Sequence, residues 1–313
     1  MRAILRREFA GYFDSLMGFG VIGAFVVLMT LLSLLLDPLG GGGDWFKRGE
    51  LTMRTFFAVF PWAAAVIVPA ISMRLWSEDR RQATFELLMT LPIPSWKVAV
   101  GKYLAGVCFL AVMLAATIAY PIMLASWGEP DWGPVFGGYF ACFVLGSAFV
   151  AIGMFASGLT DNQALAFFLG MLFCLGIVGV GELSGLLGGL ARTHPTAALL
   201  HLVSIPVVGI GLLAAAVGRD KLVAGVVGGA ALLANGFVYL VTDDARAQAD
   251  AGVPVTTQAG ETVIAAISQI NVLEHFREIQ RGVVNSNGLI FFASYVALFL
   301  MLNIWSLESR RFG

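Results

Sequence analysis

Residues 77–102 read SEDRRQATFELLMTLPIPSWKVAVGK, a charged stretch with two prolines between two long apolar runs. The flanking runs cover about residues 55–75 and 98–126. Each is long enough to cross the hydrocarbon core of a bilayer, which takes about 20 apolar residues. The stretch therefore predicts two membrane spans joined by a loop in water, residues 76–97.

The whole 313-residue chain is apolar, with 58% hydrophobic and 12% charged residues. One soluble core cannot bury that much apolar surface. The sequence predicts an all-α polytopic membrane protein, a single transmembrane domain over residues 1–313, with six core transmembrane helices plus an extra pair. Whether the extra pair spans the membrane or forms a re-entrant hairpin is left open. The predicted spans are 16–36, 55–75, 98–126, 133–159, 162–190, 199–217, 222–241 and 287–307, and the extra pair is 199–217 with 222–241.

The positions of the basic residues predict the orientation. Most of the 19 Lys and Arg residues lie in the segments that share a side with the N-terminus. Because cytoplasmic loops carry an excess of Lys and Arg, both termini and the 76–97 loop are expected in the cytoplasm. The net charge of −1 gives no basic field for nucleic acid.

The N-terminal segment, residues 1–15, alternates between an apolar and a basic face with helical period. This pattern predicts an amphipathic helix in the inner membrane interface. The alternative is an ordinary positive flank that only sets topology. The interfacial residues are Arg2, Leu5, Arg6, Arg7, Phe9 and Phe13.

Within the 76–97 loop, a short helix over about residues 79–90 would bring several apolar side chains to one face. Pro92 would end it, because proline removes a backbone donor and disfavours helix in the preceding residue. The apolar face requires something to pack against, either the bilayer and the adjacent helix ends or the groove of a partner protein. The residues of this face are Thr84, Leu87, Leu88 and Leu91.

Residues 261–284 carry two apolar faces that are half a turn out of phase, so one straight helix cannot bury both. We expect a break near Asn271 and two short interfacial helices on the outer side, before the last span at 287–307.

The chain lacks the sequence of a phosphate-binding loop. Gly101 and Lys102 are followed by Tyr103, and Trp96 occupies the position of the first glycine. The three histidines share no ligand spacing with Cys, Asp or Glu, so no metal site is expected. We expect no catalytic residue and no enzyme activity on this chain.

Two segments carry motifs of a known family. The first is VPAISMRLWSEDRRQATFELLMTLPIPSWKVAVGKYLA, residues 68–105, and the second begins with LEHFREIQRGVV, residues 273–284. Both resemble permease subunits of ABC-2 type exporters, particularly the gliding-motility-associated branch. Two features depart from that pattern: Ala83 replaces the usual glycine, and residues 192–260 look like an insertion with the two extra spans. The motif residues are Pro69, Met73, Arg74, Thr84, Glu86, Leu87, Leu88, Pro92, Gly101, Lys102, His275, Phe276, Arg281 and Gly282.

The resemblance implies a permease of the bacterial inner membrane that couples ATP hydrolysis by a separate cytoplasmic ABC ATPase dimer to movement of substrate or force. ATP and Mg²⁺ would bind the ATPase. It also implies a second permease copy or a related permease, and an auxiliary membrane subunit with a large extracytoplasmic domain. The alternatives are an ion-coupled secondary transporter and a non-transporting scaffold or mechanotransmitter. Four motif residues lie in the predicted outer interfacial helices: His275, Phe276, Arg281 and Gly282. The ATPase-coupling interface that the resemblance implies is Arg80, Arg81, Thr84, Glu86, Leu87, Leu88, Leu91 and Pro92.

Overall fold

A computed structural model describes residues 1–14, 16–35, 53–82, 94–128, 130–193, 271–282 and 286–311. All regular elements in these ranges are α-helices. They form two compact units, residues 1–175 with 275–313 and residues 176–274, and each unit is described by itself. The helices are α1 (Arg2–Phe13), α2 (Leu16–Leu35), α3 (Arg54–Ser72), α4 (Arg74–Arg81), α5 (Ser95–Ala116), α6 (Ala119–Trp127), α7 (Trp132–Leu159), α8 (Gln163–Thr193), α9 (Val272–Gln280) and α10 (Ser286–Arg311).

Four helical stretches within the described residues are long and apolar enough to cross a membrane. A fifth is obtained if α1 and α2, which are bent by 69° relative to each other, are counted as one broken span. The count of six core spans is therefore not confirmed, and the extra pair, 199–217 and 222–241, lies outside the described residues. The four spans are Arg54–Arg81, Ser95–Trp127, Trp132–Leu159 and Ser286–Glu308.

Helix α7 is the centre of the larger unit and packs against α3, α4, α5 and α10. The most apolar stretch of α7 is 78% buried, against 17% for that of α10. Glycine permits this close packing: a Cβ on Gly153 of α7 would collide with the side chain of Ser72 on α3. Small residues at such positions let membrane helices approach each other closely.

The span formed by α5 and α6 contains a break at Thr117, and a proline explains it. Pro121 has no N–H to donate to the carbonyl of Thr117 four residues earlier. The hydroxyl of Tyr139 on α7 donates to that carbonyl instead, at 2.9 Å, and the N–H of Tyr120 donates to it at 3.0 Å. Because of Pro121, the carbonyl of Thr117 accepts a hydrogen bond from a neighbouring helix in place of one bond within its own helix.

In the smaller unit, the clearest local feature is the start of α9. The side-chain oxygen of Asn271 accepts hydrogen bonds from the N–H groups of Leu273 and Glu274, at 2.9 and 3.2 Å. Its side-chain nitrogen donates to the carbonyl of Gly181 at 3.1 Å. Asn271 therefore caps the start of α9. The first of the two predicted interfacial helices, before Asn271, lies outside the described residues.

Candidate functional site

The candidate site is the helical segment that leads into the predicted cytoplasmic loop. Helix α4 follows α3 after the single residue Met73, and α5 starts at Ser95 with Pro94 as its cap. Residues 83–93, between these helices, lie outside the described residues. The predicted coupling residues in that range are Thr84, Glu86, Leu87, Leu88, Leu91 and Pro92.

One side chain of the central helix holds the start of α4. The hydroxyl of Ser157 on α7 accepts hydrogen bonds from the backbone N–H groups of Trp76, at 3.1 Å, and Ser77, at 3.0 Å. It donates to the carbonyl of Met73 at 2.6 Å. A hydroxyl inserted into the backbone ladder accounts for a helix break. Ser157 thus separates α4 from α3 and at the same time attaches α4 to α7.

The end of α4 is attached to the same helix region by an ion pair. The guanidinium of Arg80 lies 3.2 Å from the carboxylate of Asp161, just after α7. The side chain of Arg80 is only 6% exposed, whereas the neighbouring Arg81 is exposed. Of the two arginines predicted for the coupling interface, Arg81 is therefore the one whose side chain is exposed.

A buried lysine lies on the other side of α4. Lys102 of α5 is 1% exposed, and its Nζ lies 3.0 Å from Oε1 of Glu8 and 2.6 Å from Oδ2 of Asp79. The ammonium also lies 5.1 Å from the ring centroid of Trp76. Burying an ammonium costs several kcal/mol unless opposite charges compensate it. The two carboxylates, one from α1 and one from α4, supply that compensation.

Further charges extend this group toward a cavity. Arg7 pairs with Glu8, and the hydrogen bond to Glu8 raises the pKa of the Arg7 guanidinium above its ordinary value. Arg74 pairs with Glu78 at 2.9 Å within α4. A cavity of about 440 Å³ opens beside these pairs, between α1 and α4. Its lining is mostly charged and polar: Arg7, Glu8, Gly11, Tyr12, Asp14, Arg74, Leu75, Glu78, Asp79, Gln82 and Lys102.

Helix α1 packs through its aromatic face, in agreement with its amphipathic sequence. The ring of Phe109 on α5 stacks on Tyr12 at 4.5 Å and contacts Phe13 at 5.6 Å. The hydroxyl of Tyr12 donates to the carbonyl of Ile71 on α3 at 3.2 Å. Phe9 lies 5.3 Å from Phe13 on the same helix. Of the other predicted interfacial residues, Leu5 is half-buried, while Arg2, Arg6 and Arg7 are exposed.

The motif residues of α9 that belong to the larger unit pack against α3 and α10. Phe276 is buried and stacks on Phe60 of α3 at 6.3 Å, and His275 lies 4.4 Å from the ring of Phe291 on α10.

The end of α9 depends on two glycines. Gly282 ends α9 with a φ of 83°, a conformation that favours glycine, and its N–H donates to the carbonyl of Ile279. A Cβ on Gly137 of α7 would lie 2.8 Å from the backbone of both Ile279 and Gly282, so α9 docks on a glycine of α7. Arg281, beside this contact, is exposed.

Sequence reasoning missed the residues that hold α4 in place. It counted Lys102 among the loop charges that set topology, and it gave Glu8, Asp79 and Ser157 no role. A lysine inside the first turns of an apolar span was the available signal, because an ionisable residue there requires a partner. Within the described residues, no group of three His, Cys, Asp or Glu side chains has an arrangement that could hold a metal ion.

Comparison with known families adds a direct assignment. The profile of the family described as ABC-2 family transporter protein matches residues 47–306, which is most of the chain and includes α3 to α10 up to residue 306. The chain belongs to the ABC-2 transporter family. Comparisons with curated proteins and with solved structures found no match.

Membership gives the described features their context. A member of the ABC-2 transporter family is a multi-pass membrane permease component of an ABC transporter, and it is not itself the ATPase. The family in general works with an ABC ATPase partner. In this ABC-2 permease, α4 is the helix that directly precedes residues 83–93, which lie outside the described residues.

Proposed function

We propose that this chain is the ATPase-coupled permease subunit of an exporter in the gliding-motility-associated branch. It sits in the bacterial inner membrane with both termini in the cytoplasm. It forms a dimer with a second copy or a related permease, and two cytoplasmic ABC ATPase subunits bind its 76–97 loops. ATP and Mg²⁺ bind the ATPase, and an auxiliary subunit with a large extracytoplasmic domain joins the complex on the outer side.

The attachment of α4 to the central helix is the observation that supports this proposal best. Ser157 binds the first turn of α4, and Asp161 binds Arg80 in its last turn. A loop that transmits force needs a rigid connection to the spans, because a two-state membrane element responds only to a displacement that reaches it. Closure of the ATPase dimer would move the loop, and α4 would pass that movement to α7.

In the docked state, the apolar face of the loop fills a groove of the ATPase. Leu87 and Leu88 supply the apolar contact, while Glu86 and Arg81 supply charges that set the register. Full burial of one leucine contributes about 1.5–3 kcal/mol. Loss of both therefore lowers affinity by a factor of about 10² to 10⁴.

The test is affinity purification of the tagged chain from native membranes in mild detergent, followed by mass spectrometry. The wild-type chain is expected to bring an ABC ATPase subunit in near-equal amount. Leu87→Asp/Leu88→Asp should lose the ATPase and stay in the membrane fraction. Gln82→Asp is the control, because it adds a charge at the exposed end of α4 and removes no apolar side chain.

Two results would count against the proposal. If the leucine variant keeps its ATPase, the docking assignment is wrong. If the wild-type chain purifies without any ATPase, the ATP-driven function is wrong, and the ion-coupled transporter or the scaffold becomes the better explanation.

A further inference from the structure

We propose that Lys102 is a positioning residue that makes the N-terminal helix α1 move together with α4. This inference rests on the proposed function, because α4 moves only if the loop beyond it is driven by an ATPase. Through Lys102, a movement of α4 driven by nucleotide binding would also reach α1, the helix predicted to lie on the membrane surface.

The side chain of Lys102, on α5, lies between α1 and α4 and contacts both. Its Nζ lies 3.0 Å from Glu8 on α1 and 2.6 Å from Asp79 on α4. The cavity of about 440 Å³ beside it is lined by both helices. Glu8 of α1 and Asp79 of α4 are therefore connected through the ammonium of Lys102. The adjacent cavity gives the two helices space in which to shift.

Besides its aromatic contacts with Phe109 on α5, α1 has an attachment on the opposite side of the α3–α4 break. Tyr12 donates to the carbonyl of Ile71, which precedes Met73. Asp79 follows Met73. Tyr12 therefore ties α1 to α3, whereas Lys102 ties it to α4. If α4 turns about Met73 while α3 stays in place, the Lys102 contacts carry that motion to α1.

The charges of this cluster allow its mechanical role to be separated from its role in stability. Arg7 and Lys102 balance Glu8 and Asp79, so the four side chains together are neutral. Lys102→Met alone leaves an uncompensated carboxylate, which destabilises a partly buried site. Asp79→Asn/Lys102→Met leaves the neutral Arg7 and Glu8 pair. The double variant removes the connection to α4 and keeps the charge balance.

The experiment measures hydrogen exchange by mass spectrometry on the complex purified from native membranes, with and without a non-hydrolysable ATP analogue. Backbone exchange reports local opening of each helix. In the wild type, nucleotide should change exchange in residues 2–13 and in residues 74–81. In Asp79→Asn/Lys102→Met, the change in residues 74–81 should persist and the change in residues 2–13 should be lost.

A matched control removes a different ion pair that lines the same cavity. Arg74→Gln/Glu78→Gln eliminates a pair within α4 and is expected to keep the nucleotide response of residues 2–13. The heat-unfolding midpoint supplies the second readout. It should drop in Lys102→Met and recover toward the wild-type value in the neutral double variant, although the response of α1 stays absent.

The outcomes separate this inference from the function on which it rests. A nucleotide response of residues 2–13 that survives in the Asp79→Asn/Lys102→Met variant, or that is missing in the wild type while residues 74–81 respond, overturns the role of Lys102. If residues 74–81 do not respond in the wild-type complex, the coupling function itself is overturned.

Discussion

Replacement of Ser157 by alanine tests the connection between the central helix and α4. The change removes the acceptor for the N–H groups of Trp76 and Ser77 and the donor to the carbonyl of Met73. Each of these hydrogen bonds contributes about 1 kcal/mol net, and a buried group that loses its partner costs more. Backbone hydrogen bonds that re-form across the break recover part of the lost free energy. The free energy of local opening of α4 should therefore fall by about 2–3 kcal/mol.

Hydrogen exchange of the peptide that covers residues 74–81 is the suitable assay, because it measures local opening in the folded protein. A loss of about 2–3 kcal/mol corresponds to exchange that is about 30 to 150 times faster at the affected amides. Ser294→Ala is the control, since that hydroxyl donates to the carbonyl of Phe291 in its own helix. If Ser157→Ala accelerates exchange in residues 74–81 no more than Ser294→Ala does, the anchoring role of Ser157 is refuted.

Two further substitutions test the helix packing through the heat-unfolding midpoint in detergent. Gly137→Ala should destabilise the protein by about 1–3 kcal/mol, because its Cβ would lie 2.8 Å from the backbone of Gly282, which has no flexible side chain to move aside. Gly133→Ala, one turn earlier on α7, meets only an ordinary contact and should leave the midpoint unchanged; equal midpoints for the two variants would contradict the close approach of α9. Tyr139→Phe should cost about 1 kcal/mol by removing the donor to the carbonyl of Thr117, and a midpoint equal to that of the wild type would show that the proline break needs no bond between helices.

Features that depend on residues close together in the chain could be predicted from the sequence. The helical period of the N-terminal segment predicts its aromatic face, and Tyr12 and Phe13 do pack on α5. The phase shift in residues 261–284 predicts a break near Asn271, and the cap of α9 at that residue is compatible with it, although residues 261–270 lie outside the described residues. Both patterns express the 3.6-residue turn of a single helix, so no knowledge of tertiary contacts was required.

The contacts that define the candidate site were not accessible in the same way. Lys102 binds partners that lie far from it in the chain, at positions 8 and 79, and a count of loop charges treats it as one more positive residue. From the sequence, Ser157 is one small residue within an apolar span, where a serine hydroxyl usually donates a hydrogen bond to a carbonyl of its own helix. The packing of the helices decides which residues contact each other. A helical pattern in the sequence carries no information on that packing.

The contact between Glu8 and Lys102 also has a consequence for biosynthesis. At about 5–20 residues per second, Glu8 leaves the ribosome about 5–20 s before Lys102 does. During that interval Glu8 lacks its lysine partner and the aromatic face of α1 lacks the ring of Phe109, so the apolar side chains of α1 need a temporary environment. Until α5 is synthesised, α1 therefore needs another apolar contact, and an amphipathic helix can make such a contact at the membrane surface.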